Sequence, residues 1–148
     1  MADTVSPAVR SRMMAGIRAK NTKPEIIVRR GLHAAGFRFV LHDRRLPGRP
    51  DVVLPRWRAA VFVNGCFWHA HACRYFRLPA SHPEFWSAKI EANRSRDAAA
   101  LAALAASGWR TATVWECALR GSEAARIATM RHLVKWLRSR QTHLEIPA

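Results

Sequence analysis

A group of cysteine and histidine residues constrains the fold of this chain more than any other feature. Residues 66–73, CFWHAHAC, hold two thiols and two imidazoles, and the third and last cysteine, Cys117, follows 44 positions after Cys73. Thiols and imidazoles at short spacing are typical of zinc sites, and a closed structural site takes four such ligands. The candidate ligands are Cys66, His71, Cys73 and Cys117. His69 is the alternative to His71 as the fourth ligand.

The odd number of cysteines argues against a disulfide framework of the kind found in small secreted domains. The alternative to a metal site is three buried free thiols, which pack as small hydrophobic side chains. The polar, histidine-rich surroundings favour the metal site. Because both cysteine segments follow predicted strands, the fold must bring the carboxyl ends of those two strands together.

The hydrophobic pattern predicts one α/β domain over residues 1–148, with a small mixed sheet flanked by helices in the order ααβββαβα. The predicted helices span about 7–20, 22–35, 81–106 and 121–139, and the predicted strands 37–42, 51–55, 57–63 and 109–116. The continuous apolar run of the third strand indicates a central position in the sheet. Ser81 and Glu84 fit a capping box at a helix start. Residues 141–148 are predicted to form a loose tail.

The charge of the chain favours nucleic acid as its partner. Lysine and arginine number 25 against 10 acidic residues, a net charge of +15, and arginine accounts for 21 of the 25. Residues 10–58 alone carry +10 of this charge. Arginine binds phosphate through two parallel hydrogen bonds and stacks on bases, so this bias suits nucleic acid. The alternative is a charged surface that only maintains solubility.

No stretch of the sequence is typical of a membrane or export segment. The longest uncharged run of small apolar residues, 98–106, has nine residues, whereas a spanning helix needs about 20. The N-terminal residues lack the apolar centre of a signal peptide. We therefore expect a cytoplasmic protein with no membrane partner.

Three side chains are candidates for hydrolytic chemistry. Asp51 follows Pro50 at the start of a predicted strand and could hold Mg²⁺, which prefers hard oxygen ligands; the alternative is an ordinary turn aspartate. His69 could act as a general base near neutral pH, or could be a surface histidine. Asp97 could orient His69, or could pair with Arg94 within its own helix.

Adjacent large aromatic residues in the polar loop suggest contacts to DNA bases. Phe67 and Trp68 cannot both easily point into a core, and apolar side chains inserted between base steps unstack and kink a duplex. Trp86, in the first turn of a predicted helix, could join them. Core packing is the alternative for Trp86.

Four segments of the sequence resemble the very short patch repair (Vsr) endonuclease family. They are LPGRPD at 46–51, VFVNGCFWHAHAC at 61–73, EFW at 84–86 with the residues up to Asp97, and GWRTATVWECALR at 108–120. The resemblance covers about residues 8–140. It implies a restriction-endonuclease-like core with a structural zinc. It further implies a nick in one strand, 5′ to the thymine of a T·G mismatch that arises when 5-methylcytosine is deaminated.

The resemblance also implies roles for individual residues. The catalytic residues would be Asp51, His69, Asp97 and Glu25. Catalytic Mg²⁺ would be held by Asp51 and the backbone carbonyl of Val63. Structural Zn²⁺ would be held by Cys66, His71, Cys73 and Cys117. The intercalating residues would be Phe67, Trp68, Trp86 and Met14, the last from a DNA-contacting helix within residues 1–20.

The sequence departs from the family pattern at two positions: Asn64 and Ala70 stand where histidines occur in a known member. Asparagine can hydrogen-bond a metal-bound water but cannot carry a proton. The partner implied is double-stranded DNA with a T·G mismatch, together with mismatch-repair proteins and a repair polymerase, and the chain is expected to act as a monomer. Two other functions stay open: a zinc-stabilised DNA-binding module without catalysis, and a related nicking nuclease with a different target.

Overall fold

A mixed β-sheet forms the centre of the molecule. The structure is a computed structural model that describes residues 21–66, 71, 73 and 78–147. Within them, five strands lie side by side in chain order: β1 (Val40–Leu41), β2 (Val52–Leu54), β3 (Ala59–Asn64), β4 (Arg110–Trp115) and β5 (His143–Ile146). β1, β2 and β3 pair antiparallel, whereas β3, β4 and β5 pair parallel. The predicted small mixed sheet is therefore confirmed.

Helices cover both faces of this sheet: α1 (Lys23–Ala34), α2 (Pro83–Ala106) and α3 (Glu123–Leu137). Alternate strand residues such as Val61 and Val114 join the apolar faces of α1 and α3 in the main hydrophobic core. On the opposite face, α2 buries Ile90, Ala100 and Leu104. Two helices on one face and one on the other give three layers, as expected for an α/β domain.

Strand β3 is the middle strand of the five, as its apolar run predicts. Ala59, Ala60 and Val61 are fully buried, because β3 is paired on both edges and covered by helices on both faces. The chain reaches β3 from β2 through a short 3-10 turn, Pro55–Trp57. This turn lies at one end of the β2–β3 pair, so the start of β2 and the end of β3 meet at the other end.

Two of the predicted helix starts are confirmed and one is corrected. Thr22 and Ser122 accept hydrogen bonds from the backbone amides of Glu25 and Ala125, at 3.4 and 3.1 Å, and so cap α1 and α3. The capping box predicted at Ser81 is wrong. His82, in the left-handed conformation (φ 53°), precedes the first residue of α2, so Ser81 lies one residue too early to cap it.

The C-terminal segment corrects the expectation of a loose tail over 141–148. His143–Ile146 pairs parallel to β4, and Leu144 and Ile146 are buried while His143 and Glu145 stay exposed. The indole N–H of Trp115 donates to Glu145 Oε1 at 2.7 Å. Four residues are too few for a clear alternation signal in sequence, and the partner strand is separated from them by a whole helix.

The first predicted strand is shorter than expected, because only Val40–Leu41 of residues 37–42 forms a strand. Phe37 instead packs into the core beside Trp57, with ring centroids 5.3 Å apart. The helix predicted over residues 7–20 lies outside the described residues. No helix in the described part of the chain is long and apolar enough to cross a membrane.

Candidate active site and thiol cluster

Asp51 lies at the open end of the β2–β3 pair. The two strands pair as far as Val52 opposite Val61, so the backbone amide of Val63 extends past the first residue of β2. Asp51 Oδ2 accepts a hydrogen bond from that amide at 2.7 Å. The carboxylate thus occupies the position that a backbone acceptor of a longer strand would take.

Glu25 reaches the same place from the first turn of α1. The residue is only 6% exposed, and its Oε2 atom accepts hydrogen bonds from the backbone amide of Asn21 and from Nε2 of His42, each at 3.0 Å. The hydrogen bond from the Asn21 amide lies at the start of α1, where an acidic side chain in the first turn is favourable. The imidazole bond connects the helix to the end of β1.

Glu25, His42 and Asp51 form what we call the acidic cluster, in which one ligand atom from each residue lies within 4.8 Å of the others. Burial raises the pKa of Asp51 to about 7; the nearby Glu25 carboxylate also raises it, while the Val63 amide bond opposes the rise. Two carboxylates in one buried space repel each other. A divalent cation would relieve this repulsion, and carboxylate oxygens are ligands that Mg²⁺ prefers.

His42 is the member of this cluster that the sequence did not identify. It lies 17 residues from Glu25 and nine from Asp51, at the end of a strand only two residues long. Its backbone adopts the left-handed conformation (φ 49°), and its amide donates to the Asp51 carbonyl at 3.1 Å. The only sequence signal was a titratable residue ending an alternating segment close to the proposed catalytic aspartate.

A second group of side chains, the thiol cluster, lies at the ends of β3 and β4. Its members are Cys66, His71, Cys73 and Cys117, with ligand atoms that all lie within 4.8 Å of one another. The parallel register pairs Asn64 with Trp115, the last residues of the two strands. Cys66 and Cys117 each follow two residues later, so the register brings the distant thiols together, as the sequence required.

The spacing of donor atoms in the thiol cluster fits a tetrahedral ion. His71 Nδ1 lies 3.6 Å from Cys66 Sγ and 3.4 Å from Cys117 Sγ. Zinc bonds of about 2.3 Å to sulfur and about 2.05 Å to nitrogen, at tetrahedral angles, separate the two donors by about 3.6 Å. Between the two candidate histidines, the structure brings His71 to the thiols, whereas His69 lies outside the described residues.

The surroundings of the thiol cluster hold the histidine in place. The His71 ring stacks on Trp115 with centroids 4.2 Å apart and planes 8° from parallel. The His71 amide donates to the Cys66 carbonyl at 3.0 Å, and the Cys73 amide donates to the His71 carbonyl at 2.8 Å. Burial raises the pKa of the Cys66 and Cys117 thiols. A bound cation would favour the thiolates that a metal site needs.

The remaining predicted site residues divide between the α2 region and segments outside the described residues. Asp97 and Asn64 line one small cavity together with Phe62, on the face of the sheet that α2 covers. Trp86 is half-buried in the first turn of α2, 5.2 Å from the ring of Phe85, which is 58% exposed. Outside the described residues lie His69, Phe67, Trp68, Ala70 and Met14.

Comparisons with known proteins relate this chain to a group of endonucleases and nicking enzymes. The family described as DNA mismatch endonuclease Vsr matches residues 2–75. The "Type II nicking enzyme V.XorIIP" of Xanthomonas oryzae pv. oryzae is 55% identical over 119 residues, which cover 80% of this chain and 88% of that protein. The "DNA mismatch endonuclease Vsr" of Escherichia coli (strain K12) is 44% identical over 123 residues, 83% of this chain and 79% of that protein. The "Type II nicking enzyme V.NmeAIP" of Neisseria meningitidis is 39% identical over 126 residues, 85% and 90% of the two proteins.

Proposed function

The chain belongs to the Vsr family of DNA mismatch endonucleases, and from that premise we propose that it nicks one DNA strand 5′ to the thymine of a T·G mismatch. The observation that carries the catalytic part of this proposal is the buried acidic cluster at the end of the β2–β3 pair. A DNA-binding module needs no such carboxylate pair, and leaving one there without a cation would be unfavourable.

We assign the Mg²⁺ site to Asp51 and the backbone carbonyl of Val63. In an antiparallel ladder, the N–H and C=O groups of one residue point toward the same neighbouring strand. The Val63 amide donates to Asp51, so the Val63 carbonyl faces the same edge. Continuing the β2–β3 register by two residues pairs Val63 with Pro50, and proline has no N–H to donate to that carbonyl. The Val63 carbonyl is therefore left for a cation, beside the Asp51 carboxylate.

A phosphodiester resists attack by water because its charge repels the nucleophile. When bound, Mg²⁺ would neutralise part of that charge and orient the scissile phosphate. The chain itself would supply the proton acceptor, and we assign this role to His69, with Asp97 and Glu25 as supporting acids. Asn64 can hydrogen-bond a water molecule but cannot accept its proton, so the general base must be another residue.

We propose that Zn²⁺ binds the thiol cluster and has a structural role. All four ligand positions are filled by protein side chains, which is the arrangement of structural zinc, whereas catalytic zinc keeps a position open. The ion would fix the segment between β3 and α2 to the end of β4. That segment contains Phe67, Trp68 and His69, so the zinc would position the DNA-contacting and catalytic residues without taking part in hydrolysis.

DNA binding follows from the net charge of +15 and from aromatic side chains. Exposed Arg44 and Arg49 lie on the loop that leads into Asp51, where they could contact the phosphates on either side of the bond to be cut. Half-buried Trp86 stands at the start of α2 with exposed Phe85 beside it. We propose that Trp86 intercalates together with Phe67, Trp68 and Met14.

In this proposal the protein is one restriction-endonuclease-like domain that acts as a monomer on duplex DNA in the bacterial cytoplasm. Its nick would start very short patch repair, so mismatch-repair proteins and a repair polymerase would act after it. These expectations come from membership of the family. The prediction that residues 1–20 contain a DNA-contacting helix is part of the same proposal.

A nicking enzyme with a different target is the second candidate. The observation that favours it is the relative at 55% identity, which is named a Type II nicking enzyme. The two candidates share the acidic cluster and the thiol cluster, so neither cluster discriminates between them. They differ only in the base pairs that the protein recognises.

Nicking of labelled duplexes in Mg²⁺ tests both candidates at once. Matched duplexes would carry T·G, T·A, C·G or another mismatch at one position, within several flanking sequences, and the cut bond would be mapped. We expect one nick, 5′ to the thymine, in the T·G duplex only. Nicking at another mismatch or at a fully paired site supports the second candidate. Tight binding without a nick in any duplex would contradict both.

A further inference from the structure

We propose that His42 is a positioning residue for the catalytic metal site, acting by fixing the Glu25 carboxylate through a hydrogen bond from Nε2. This inference rests on the proposed function, because it deepens the account of the same acidic cluster. It assigns His42 neither to proton transfer nor to direct metal binding.

The bond leaves Glu25 with one oxygen for other partners. Oε2 accepts from both His42 Nε2 and the Asn21 amide at 3.0 Å, and neither bond uses Oε1. A carboxylate held by two donors at one oxygen has a fixed plane, which fixes the direction of the second oxygen. Partners of this kind around metal-binding carboxylates typically orient the ligand that they contact.

Burial makes this bond matter. The side chains of His42 and Glu25 are only 10% and 8% exposed, so water cannot readily replace a lost donor. A carboxylate oxygen of Glu25 lies within 4.8 Å of one of Asp51, so the charges of the two groups interact across the cluster. Rotation of Glu25 would change both the charge near Asp51 and the oxygen atoms offered to a cation.

The backbone of His42 ties the same residue to Asp51. Its amide donates to the Asp51 carbonyl at 3.1 Å, next to the β1–β2 pair of Leu41 and Val52. One residue therefore contacts both carboxylate-bearing segments, Asp51 through the main chain and Glu25 through the side chain. The left-handed backbone (φ 49°) is uncommon for a residue other than glycine, and here it accompanies this double contact.

The test uses two amide substitutions that differ in reach. In His42→Gln the amide nitrogen can occupy the place of Nε2 and keep the bond, whereas in His42→Asn it falls near the place of Nδ1 and loses the bond. Asparagine tolerates the left-handed conformation better than glutamine does, so backbone strain alone would favour the asparagine variant. His132→Asn, at an exposed position on α3, is the control.

Single-turnover nicking of a T·G duplex is measured against Mg²⁺ concentration, alongside zinc content and thermal stability. We expect His42→Asn to raise the Mg²⁺ concentration for half-maximal nicking by about 10–100-fold. We expect the half-maximal Mg²⁺ concentrations of His42→Gln and of the control to stay within about threefold of the value for the unmodified protein. That change is smaller than the one expected for His42→Asn. The double variant His42→Asn/Glu25→Gln should lose little beyond Glu25→Gln alone, since His42 acts through Glu25.

Three results would overturn the inference: an unchanged Mg²⁺ dependence in His42→Asn, equal losses in both amide variants, or additive losses in the double variant. If His42→Asn does not fold, His42→Ala takes its place both in the comparison with His42→Gln and in the cycle with Glu25→Gln. Asp51→Ala is measured in parallel. Nicking by Asp51→Ala would refute the proposed catalytic site itself, whereas an inactive Asp51→Ala with a normal His42→Asn would refute only the role of His42.

Discussion

The acidic cluster and the thiol cluster both use the end of β3, yet they differ in how their ligands are assembled. The acidic cluster combines side chains from α1, the end of β1 and the start of β2, with the Val63 amide of β3 as a fixed donor. The thiol cluster combines three ligands from one short segment with Cys117 after β4. The first site depends on packing between elements, and the second depends mainly on local spacing plus one strand register.

This difference explains which site a sequence can reveal. Ligands within eight residues of one another stand out as a pattern, whatever the rest of the fold does. Ligands brought together by three separate elements show no fixed spacing along the sequence that would identify them. The same difference predicts separable behaviour: the thiol cluster should govern stability, and the acidic cluster should govern chemistry.

Asp51→Ala is expected to separate the two clusters most clearly, by abolishing nicking while leaving zinc binding intact. It removes the carboxylate that accepts a hydrogen bond from the Val63 amide, so nicking of the T·G duplex should fall by about 10³-fold or more, to background. Zinc content and binding of the T·G duplex should be unchanged. Nicking rates, elemental analysis and a gel-shift assay measure the three quantities.

Glu91→Ala is the control, because it removes an exposed carboxylate on α2 that belongs to neither cluster. It should nick at the normal rate. Normal nicking by Asp51→Ala, with the cut at the same bond, would place the active site elsewhere.

Cys117→Ser should have the opposite profile. The purified protein should contain one zinc per chain, and this variant should bind it more weakly, through three ligands. If four ligands share roughly 12 kcal/mol of zinc-coupled folding free energy, losing one costs about 3 kcal/mol. Urea unfolding followed by circular dichroism, with and without added Zn²⁺, measures this loss. Ser95→Ala, at an exposed position on α2, serves as a surface control, and full stability in a zinc-free Cys117→Ser protein would contradict a structural zinc.

A smaller effect is expected when Asp51→Asn is compared with the unmodified protein across pH, in Mg²⁺-free buffer. Burial raises the pKa of Asp51 from 3.8 to about 7, so between these values the folded protein holds a proton that the unfolded chain has released. Stability is therefore lost as pH rises from about 4 to 7 in the unmodified protein, and this part of the loss should vanish in the variant.

Urea unfolding at pH values of about 4.5, 6 and 7.5 measures the free energy of unfolding of the two proteins. These values sample the range of about 4 to 7 in which the folded and unfolded states differ in protonation of Asp51. Adding Mg²⁺ at pH 7.5 should stabilise the unmodified protein more than the asparagine variant. A pH-independent difference would mean that Asp51 is not desolvated by its surroundings.

The smallest effect is expected from Trp115→Phe. The substitution keeps a ring beneath His71 but removes the indole N–H that donates to Glu145 Oε1. Stability should fall by about 1 kcal/mol, the usual net value of one hydrogen bond, while zinc content stays at one per chain. Glu145→Ala, which removes the acceptor of the same bond, should have a similar effect on stability. Loss of zinc in Trp115→Phe would show that the thiol cluster depends on packing as strongly as the acidic cluster does.

The sequence predicted the helices around the sheet and the central position of β3, because these depend on periodicity and local capping. It also predicted the thiol cluster, because three of the four ligands lie within eight residues of one another. It missed β5, since a four-residue strand becomes recognisable only when β4 offers its edge. It missed His42, because a bond between residues 17 apart depends on how α1 packs against the end of β1. The start of α2 was misplaced because His82 adopts a left-handed conformation that composition does not reveal.

The position of Cys117 divides the thiol cluster in time as well as in space. On a ribosome, Cys66, His71 and Cys73 emerge together, and the last ligand follows 44 residues later. At ordinary rates of synthesis this interval lasts about 2–9 s, during which a captured zinc ion would have only three protein ligands. Cys117 would therefore complete the tetrahedral site when β4 pairs with β3. Binding of the fourth zinc ligand and formation of the central strand pair would then be a single step of folding during synthesis.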